Sequence, residues 1–517
     1  MNSFKYFVPV FLIYAVFFGW REFGNPRAGI VRLAAAVPEY HRYEIVRIRL
    51  ETRNRVLLEK WKVSPPEVEV IFNGRKIKSV GGLDGPYMFF DSEQNVWSGL
   101  WPCPWNAPAG RYVLKLADYG EDKDLLSEGS FSVISRQPVK VPSNLTVLTY
   151  EADPPTEGMK FRGPDGGVKN WKALVDWAAY SGADAFWILA GKTTGSGGNV
   201  WNDYDVSVIR AMGRECHRQG ILFGVWAMCY MTHPDPGMEL TGRYEYARDI
   251  KGGRVVTTRA VSLRDGKRPS DIARLLAGYA AMPEVDFLGL DYIRNALGGY
   301  ELAEDFYKEM PWVRKPDGWE KLTPDEKIAA FARLKISRRD MKIVDAWQWW
   351  RAHRVAGIVR EIRSGTGALK PIWAFTLGWE KGWQHGQDCV MMLDAGVDID
   401  AIMLYEADKS QFASMMHDWP SYIKKGDTRV MVGDIVDVTL HQGEGMNEFK
   451  RRIRLAMKSI YRDGPADGVF VHDLARALWG RKGGFSTTEW MDAAREIMLE
   501  YKGLTGNKTV PQDEALK

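Results

Sequence analysis

The chain has 517 residues, of which 45% are hydrophobic and 26% charged, and its formal net charge is +4 at pH 7. This length exceeds one ordinary domain and predicts two or three folded units, while the balanced composition excludes a disordered or collagen-like chain. The positive charge is spread along the sequence without a basic block, so no nucleic-acid partner is expected.

An apolar segment lies close to the N-terminus. Lys5 precedes the run YFVPVFLIYAVFFGW, which ends at Arg21. A run of about 15 residues suits the core of a signal peptide better than a membrane-spanning helix, which needs about 20. We predict that residues 1–28 form a signal peptide or signal anchor and that the protein is extracytoplasmic: secreted, periplasmic or anchored by this segment. Membrane contact is expected through this segment alone, and its cleavage stays open.

The next hundred residues have the pattern of β-strands. YEIVRIRLET alternates apolar and polar positions, as a half-buried strand does. PPEVEVIFNGRKIKSV follows, and Asn73-Gly74 within it is a strong hairpin-turn signal. Several short strands separated by turn residues predict an all-β, immunoglobulin-like sandwich over residues 29–136. Residues 137–144 contain two prolines and are predicted to be a linker.

From residue 145 to residue 503 strands and helices alternate. The helical stretches between the strands often end at a glycine, the common helix C-cap. Eight apolar runs predict the strands: LTVLTYEAD, ADAFWILAGK, ILFGVWAMCY, VDFLGLDYIR, PIWAFTLGWE, IDAIMLYEAD, RVMVGDIVDV and DGVFVHDLAR. Eightfold alternation predicts an α/β fold, the (β/α)8 TIM barrel. Residues 504–517 are predicted to be a polar tail.

Two connections are longer than a barrel needs. One follows the third strand, from about 231 to 270, and the other follows the fourth, from about 295 to 367. The second contains Thr323-Pro324-Asp325-Glu326, which predicts a capping box with proline at the first helical position. Both connections leave from the C-terminal face of the barrel, where barrel enzymes place their active sites.

Acidic residues stand at the ends of most of the predicted strands. Asp291 ends the fourth strand inside an otherwise apolar run, with Arg294 three residues later. A carboxylate there must face the barrel mouth or be paired, so the alternative to a catalytic role is a structural ion pair with Arg294. The other strand-end acids are Glu151, Asp153, Glu380, Glu406, Asp408, Asp434, Asp437 and Asp473. Glycoside hydrolysis needs two carboxyl groups, one protonated and one ionised, and this mouth offers several candidates.

Aromatic residues accompany these acids. The sequence has 21 Trp, roughly three times the average usage. Those at or just past strand ends are Tyr150, Trp187, Trp226, Tyr230, Tyr292, Trp379, Trp383 and Tyr405. As core residues they would need no further explanation, whereas as a group at the mouth they suit a cleft that binds a saccharide. From this set Trp187, Trp226, Tyr292, Trp379 and Tyr405 are predicted to bind substrate, together with Arg294, Glu151 and Asp473.

Other chemistries lack their motifs. AGKTTGSGG resembles a phosphate loop, but Phe186 stands where the first required glycine would be. The eight His residues form neither an HxH nor an HExxH pair, and no GxSxG elbow is present. No cofactor and no metal site is therefore expected.

The order of the barrel motifs resembles a known family. VDFLGLDYIR, a long insertion, WQWWRAHRVAGIVREIR, KPIWAFTLGW and IDAIMLYEAD follow one another. This order is similar to the glycosyl-hydrolase-like bacterial barrel family with an FDYIRYP-type fourth strand, although Asn295 and Ala296 stand where its aromatic and proline would be. The resemblance covers roughly residues 145–480 and implies a carbohydrate-active barrel. The matching residues are Asp291, Tyr292, Arg294, Trp350, Arg351 and Tyr405.

A wider analogy implies catalytic roles. The α-galactosidase-like clan carries its nucleophile on strand four and its acid/base on strand six, and α-amylase-like enzymes use strands four and five. By this analogy Asp291 is the nucleophile, kept ionised by Arg294, and Glu406 is the acid/base, with Glu380 as the second choice and Asp408 a weaker option. The sequence thus predicts a glycoside hydrolase that acts on an extracytoplasmic poly- or oligosaccharide. The alternatives are a non-catalytic glycan-binding or envelope-scaffold protein, and another barrel reaction such as a lyase.

Overall fold

The computed structural model describes residues 31–52, 55–117, 126–153, 155–193, 206–232, 242–294, 298–367, 370–405, 407–441 and 445–506. The predicted signal segment and residues 507–517 of the predicted tail lie outside this part of the chain. Among the helices that the structure describes, none combines the length and the apolarity that crossing a bilayer requires.

The first part of the chain forms two facing five-stranded sheets. The strands are β1 (Val31–Ala35), β2 (Glu39–His41), β3 (Ile45–Thr52), β4 (Val68–Phe72), β5 (Arg75–Lys76), β6 (Tyr87–Asp91), β7 (Val96–Pro102), β8 (Gly110–Leu116), β9 (Leu126–Ser127) and β10 (Gly129–Ile134). The sheet orders are β6-β7-β3-β1-β9 and β2-β10-β8-β4-β5. Alternate residues of both sheets point into one core that includes Ile48, Val70, Trp101 and Leu114. The immunoglobulin-like character of this sandwich stays a prediction.

The turn predicted at Asn73-Gly74 is confirmed. It joins β4 to β5, where Phe72 pairs with Arg75. Asn73 and Gly74 have φ of 49° and 75°, the left-handed backbone that a two-residue type I′ hairpin requires at both positions.

A helix interrupts the region that was predicted to be all-β, and that expectation is wrong for residues 55–63. This helix, α1 (Arg55–Val63), lies between β3 and β4. Leu57 and Trp61 are one helical turn apart, and both pack against the core of the sandwich. The four-residue spacing of these two side chains indicates a helix, and the strand signals on either side concealed it.

The described residues of the second part of the chain form twelve strands. They are β11 (Leu145–Tyr150), β12 (Phe161–Arg162), β13 (Val168–Lys169), β14 (Ala185–Thr193), β15 (Leu222–Thr232), β16 (Tyr246–Lys251), β17 (Arg254–Val261), β18 (Phe287–Asp291), β19 (Ile372–Leu377), β20 (Ile399–Met403), β21 (Val430–Ile435) and β22 (Gly468–His472). Eight of them, β11, β14, β15 and β18 to β22, pair in parallel in a closed ring, with β22 returning to β11. The predicted (β/α)8 barrel is confirmed, with all eight predicted strands in place.

Helices surround this ring. They are α2 (Lys172–Ser181), α3 (Val206–Arg218), α4 (Arg268–Ala280), α5 (Ala303–Glu309), α6 (Pro324–Ala332), α7 (Met341–Thr366), α8 (Cys389–Ala395), α9 (Lys409–Tyr422), α10 (Gly445–Ser459), α11 (Leu474–Trp479) and α12 (Thr487–Thr505). Gly182 ends α2 and Gly367 ends α7, each in the left-handed conformation. The predicted capping box is also confirmed, because Thr323 and Glu326 bond reciprocally at the start of α6.

The two long connections form separate substructures at the mouth of the barrel, the end at which its strands terminate. The connection after the third strand contains the antiparallel β16–β17 hairpin. The connection after the fourth contains α5, α6, a π-helical turn at Arg333–Ser337 and the first part of α7. These segments, together with the 3-10 segment Trp379–His385 after the fifth strand, build the rim around the strand ends.

The barrel interior is filled by indole rings. Trp187 of the second strand stacks on Trp373 of the fifth at 4.1 Å between ring centroids, and Trp226 of the third packs edge-on against Trp373 at 5.5 Å. All three are fully buried. Gly289 lies on the fourth strand, and a Cβ at this position would overlap the Trp373 ring and crowd Trp226. A glycine is therefore required by space, since large and small residues must complement one another in a close-packed interior.

We expect Gly289→Ala to lower the free energy of unfolding by about 1–3 kcal/mol, because an added methyl group overpacks the barrel interior. Urea unfolding followed by tryptophan fluorescence measures this change. Gly278→Ala is the matched control, since Gly278 lies in α4 with no atom within 4 Å of its added Cβ. That change should be neutral or stabilising. Equal behaviour of the two variants would contradict the packing described here.

The sandwich is held against the barrel by ion pairs, one of which is buried. The Arg42 guanidinium binds Asp394 at 2.7 Å and Asp427 at 2.5 Å, with both Arg42 and Asp394 almost fully buried. Arg136 binds Asp398 at 2.9 Å. Trp105 of the sandwich stacks on Trp383 at 4.0 Å, so the sandwich also supports the rim segment that follows the fifth strand.

Candidate active site

Asp291 is the last residue of the fourth barrel strand and lies at the mouth. Its side chain is buried, with the residue 5% exposed. The backbone N–H of Tyr292 donates to Asp291 Oδ1 at 2.7 Å. Tyr292 itself adopts the left-handed conformation with φ of 47°, which turns the chain sharply away from the strand at this point.

A histidine joins the first and eighth strands beside Asp291. His472 Nε2 lies 2.8 Å from Glu151 Oε2. On the other side of the ring, Nδ1 lies 2.8 Å from Thr149 Oγ1, whose hydroxyl donates to the Val471 carbonyl. Both ring nitrogens therefore face acceptors, which is the hydrogen-bond pattern of a protonated imidazolium.

The charges around His472 support this protonated form. Burial alone would lower the pKa of His472, but the negative charges of Glu151, Asp473 and Asp291 outweigh it and raise the pKa above its ordinary value. The Tyr405 ring stacks parallel to the imidazole at 5.6 Å between centroids. An aromatic face in this position favours a cation.

Asp291 and Glu151 experience opposite environments. Burial, followed by the negative charge of Glu151, raises the pKa of Asp291 to about 7, against the weaker opposing influence of His472 and Arg294. Asp291 therefore carries its proton to a higher pH than an ordinary aspartate does. Glu151 instead contacts the His472 ring N–H, which stabilises its ionised form. One carboxyl group held protonated beside one held ionised is the requirement of two-carboxylate hydrolysis.

The predicted role of Arg294, to keep Asp291 ionised, stays a prediction. No ion pair joins these two residues, both of which the structure describes, although the charge of Arg294 does lower the pKa of Asp291. The Arg294 guanidinium lies over the Tyr292 ring, 4.7 Å from its centroid. At that position its effect on the pKa of Asp291 is smaller than the effect of burial, which favours the protonated form.

No protein-family model matches the chain, and no curated protein matches its sequence. The solved structures to which the chain is similar include glycoside hydrolases. The β-galactosidase from the psychrophilic Marinomonas ef1 is 11% identical with a TM-score of 0.43, and the alignment covers 72% of this chain but only 61% of that one. The C-terminal domain of ChiA from Legionella pneumophila is 11% identical, with a TM-score of 0.36 and coverage of 70% and 99%. The glycoside hydrolase domain of PelA from Pseudomonas aeruginosa is 10% identical, with a TM-score of 0.32 and coverage of 64% and 95%.

The chain spans less than two thirds of the length of the galactosidase. Membership of the family with an FDYIRYP-type fourth strand stays a prediction.

The remaining predicted acids fall into different places. Glu406 lies outside the described residues. Glu380 is half-buried on the 3-10 segment after the fifth strand, with φ of 45°. Asp473 and Asp408 are helix N-caps that accept from the backbone N–H of Arg476 and Gln411, each at 2.8 Å. Of these two caps only Asp473 borders the histidine, with its second carboxylate oxygen 3.6 Å from His472 Nε2, and burial raises its pKa to about 6.

The seventh-strand acids serve the surrounding loops. Asp437 binds Arg476 at 3.0 Å and Arg481 at 3.4 Å. Asp434 accepts from the backbone N–H of Ile435 at 2.8 Å. These contacts tie down the loops after the seventh and eighth strands.

The predicted aromatic platforms divide into interior and mouth residues. Trp187 and Trp226 are fully buried in the barrel interior, so neither indole face is open to a sugar in this structure. Two tyrosines lie at the mouth near Asp291 and Glu151. Tyr405 stacks on His472, and Tyr292 packs under the Arg294 guanidinium. Trp379 is partly buried on the rim segment after the fifth strand.

The two residues that the resemblance adds from α7 support the rim. Arg351 is buried, and it donates to the Gly298 carbonyl at 3.4 Å and to the Gln384 carbonyl at 2.5 Å. It therefore joins the segment after the fourth strand to the segment after the fifth. Trp350 donates through Nε1 to Glu309 at 2.8 Å, which fixes α7 against α5.

Two residues that lie beside Glu151 at the candidate site, His472 and Thr149, were not among the predicted site residues. His472 directly precedes the predicted Asp473 at the end of the eighth strand, and Thr149 lies two residues before the predicted Glu151. A histidine that ends an apolar barrel strand is a signal that could have been used, since that position faces the mouth.

Glu151, His472 and Asp473 are also close enough to surround a cation, because one ligand atom from each lies within 4.8 Å of the others. A histidine that binds a metal must offer a neutral lone pair, whereas both ring nitrogens of His472 face acceptors. We expect dialysis against EDTA to leave the Tm and any hydrolytic activity unchanged. A loss of either that zinc or calcium restores would overturn this expectation.

Proposed function

We propose that the protein is a glycoside hydrolase that acts on a poly- or oligosaccharide outside the cytoplasm. The proposal is carried by one observation: at the mouth of the barrel Asp291 is buried and accepts a backbone N–H, whereas the neighbouring Glu151 contacts the His472 imidazole at 2.8 Å. The extracytoplasmic location is proposed from the apolar segment near the N-terminus.

Asp291 would act as the general acid. Because burial raises its pKa to about 7, it carries a proton that it can transfer to the glycosidic oxygen as the bond to the leaving sugar breaks. The Tyr292 N–H at 2.7 Å fixes Oδ1 and would stabilise the carboxylate that remains after the transfer.

Glu151 would act as the ionised partner. The His472 N–H at 2.8 Å orients its carboxylate and keeps it ionised. In that state it can attack the anomeric carbon or activate a water molecule, depending on how far it lies from the sugar. His472 is a positioning residue in this proposal, held in turn by Thr149 and by the Tyr405 ring.

Glu406 remains the partner that its position after the sixth strand predicts, and it competes with Glu151 for this role. The two assignments make different predictions for single amide variants, so kinetic measurements can separate them. In either case Asp291 is the shared member of the pair.

A glycan panel tests the proposal. The purified protein is incubated with neutral, acidic and amino polysaccharides, and the release of new reducing ends is measured for the wild type and for Asp291→Asn. We expect at least one polysaccharide to be cleaved by the wild type alone. Binding of a polysaccharide without any cleavage would instead favour the non-catalytic glycan-binding alternative.

A further inference from the structure

Four basic residues gather at the edge of the mouth between the fourth and fifth strands, and we name Arg294, Lys335, Arg351 and His385 the cation cluster. They come from four separate segments. Arg294 follows the fourth strand by three residues, Lys335 lies in the π-helical turn, and Arg351 lies in α7. His385 ends the rim segment after the fifth strand, next to Gln384, whose carbonyl binds Arg351. The cluster is therefore assembled by the folding of the long insertion onto the rim.

Contacts within the rim hold these side chains in place. The Lys335 ammonium lies over the Tyr300 ring, 5.5 Å from its centroid, and Tyr300 follows Gly298, the other carbonyl partner of Arg351, by two residues. The Arg294 guanidinium lies over Tyr292, next to Asp291 in the sequence. The cluster thus borders the proposed catalytic carboxyl group.

The positive charge of this cluster is only partly compensated. In the described ranges, no ion pair joins Arg294 or Lys335 to a carboxylate. The negative charges of Asp249 and Glu380 raise the pKa of Lys335. Burial and the charge of Arg351 outweigh them and lower this pKa to about 7. Burial and the charges of Arg294, Arg351 and Lys335 likewise lower the pKa of His385, so His385 is the neutral member of the cluster and the other three residues carry its positive charge.

Arg294 Nε and His385 Nδ1 are buried, and neither has a hydrogen-bond partner within the described part of the chain. Unsatisfied buried polar atoms are uncommon, and each carries a desolvation cost that a suitable ligand removes. A ligand with anionic oxygen atoms would accept hydrogen bonds from this site and offset its positive charge.

We propose that the cation cluster binds an anionic substituent of the substrate, a carboxylate or a sulfate on the sugar, so that the enzyme acts on an acidic polysaccharide. This inference rests on the proposed glycosidase function, and it adds the substrate class. Because Arg294 is three residues from Asp291, the anionic group would lie on a sugar next to the bond that is cleaved. Because Arg351 joins two rim segments, its replacement would disturb the structure of the rim. Lys335 and Arg294 are therefore the residues to substitute.

The experiment measures binding apart from cleavage. Asp291→Asn protein is titrated calorimetrically at pH 6, where Lys335 is charged, with oligosaccharides of three kinds: uronic acid, sulfated neutral sugar, and unmodified neutral sugar. We expect one of the two acidic kinds to bind at least about tenfold more tightly than the neutral kind, since a charge-assisted hydrogen bond contributes about 1.5–3 kcal/mol. Tighter binding of the uronic acid oligosaccharide would identify the anionic group as a carboxylate, and tighter binding of the sulfated one would identify it as a sulfate.

Second-site variants then locate the binding. Adding Lys335→Gln, or separately Arg294→Gln, should weaken acidic binding about tenfold and leave neutral binding unchanged. Arg333→Gln is the matched control, because Arg333 is an exposed cation at the start of the same π-helical turn. Melting curves of each variant establish that it is folded, and the two independent variants guard against a local defect in either.

Equal affinity for neutral and acidic oligosaccharides, or folded Lys335→Gln and Arg294→Gln proteins that bind like the parent, would overturn the inference. Failure of this inference can be told from failure of the proposed function. Cleavage of a neutral glycan that depends on Asp291 would keep the function and remove the acidic substrate. Selective binding of an acidic glycan that the wild type never cleaves would keep the cation cluster and remove the hydrolase.

Discussion

Replacing Asp291 by asparagine is expected to lower kcat on a cleaved glycan by about 10²–10⁴-fold, the usual contribution of a general acid. Asparagine keeps the size of the side chain and can still accept from the Tyr292 N–H, but it has no acidic proton to donate. The KM should change much less, because the contacts that hold the sugar remain. Initial rates over a range of substrate concentrations separate the two constants.

Matched variants show whether the loss is specific. Asp153→Asn is the control, since Asp153 is an exposed acid on the same rim, following the first strand, and should keep nearly wild-type kcat. Glu151→Gln should lose activity as severely as Asp291→Asn. If Glu406→Gln is inactive while Glu151→Gln is active, the partner of Asp291 is the sixth-strand acid. An active Asp291→Asn protein would remove Asp291 from the mechanism.

The same substitution is expected to stabilise the protein at neutral and alkaline pH. The ordinary pKa of an aspartate, 3.8, is raised to about 7 in the folded state, so the folded wild type binds the Asp291 proton more tightly than the unfolded chain does. The wild type therefore loses stability as the pH rises from about 4 to about 7, and the loss persists above that. The asparagine in Asp291→Asn does not titrate, so this variant does not lose stability in this way. Above pH 7 its free energy of unfolding should exceed that of the wild type by an amount on the order of a few kcal/mol.

Unfolding in urea at a series of pH values measures this difference without any substrate. We expect Asp291→Asn to exceed the wild type in free energy of unfolding above pH 7, with the gap closing as the pH approaches 4. Asp153→Asn, whose carboxylate is exposed, should show no such trend. A gap that does not vary with pH would mean that Asp291 is ionised in the folded protein, and the role of proton donor would be withdrawn.

Much of the architecture follows from local sequence signals. The eight barrel strands are continuous apolar runs that end in polar residues, and each can be located from the sequence. The turn at Asn73-Gly74 and the capping box at Thr323 depend on a few adjacent residues, so they too could be predicted. In contrast, α1 was missed because its apolar face consists of only a few side chains between strong strand signals.

The grouping of residues at the candidate site depends on closure of the barrel. Glu151 and His472 are 321 residues apart, and they meet because the eighth strand pairs with the first. The sequence alone does not distinguish among the acids at the strand ends as catalytic candidates. Closure of the barrel places both Glu151 and Asp291 near His472. The pKa of Asp291 could not be predicted either, because it depends on burial and on Glu151 more than on the neighbouring Arg294.

The indole side chains illustrate a second limit. The second and third strands are buried on both faces, so their apolar runs do not show which side chains point inward. Trp187 and Trp226 were consequently predicted at the mouth, although they fill the barrel interior around Gly289. The positions of these indole rings depend on the space beside residues such as Gly289, and the periodicity of the sequence does not reveal that space.

Cleavage in oxygen-labelled water tests the central claim most directly. A glycan that the wild type degrades is incubated in water carrying the heavy oxygen isotope, and the products are weighed by mass spectrometry. Hydrolysis at Asp291 predicts one heavy oxygen atom in each new reducing end for the wild type, and no such product from Asp291→Asn. Unlabelled products with an unsaturated sugar, the signature of a lyase, or labelled products from Asp291→Asn would contradict the assignment.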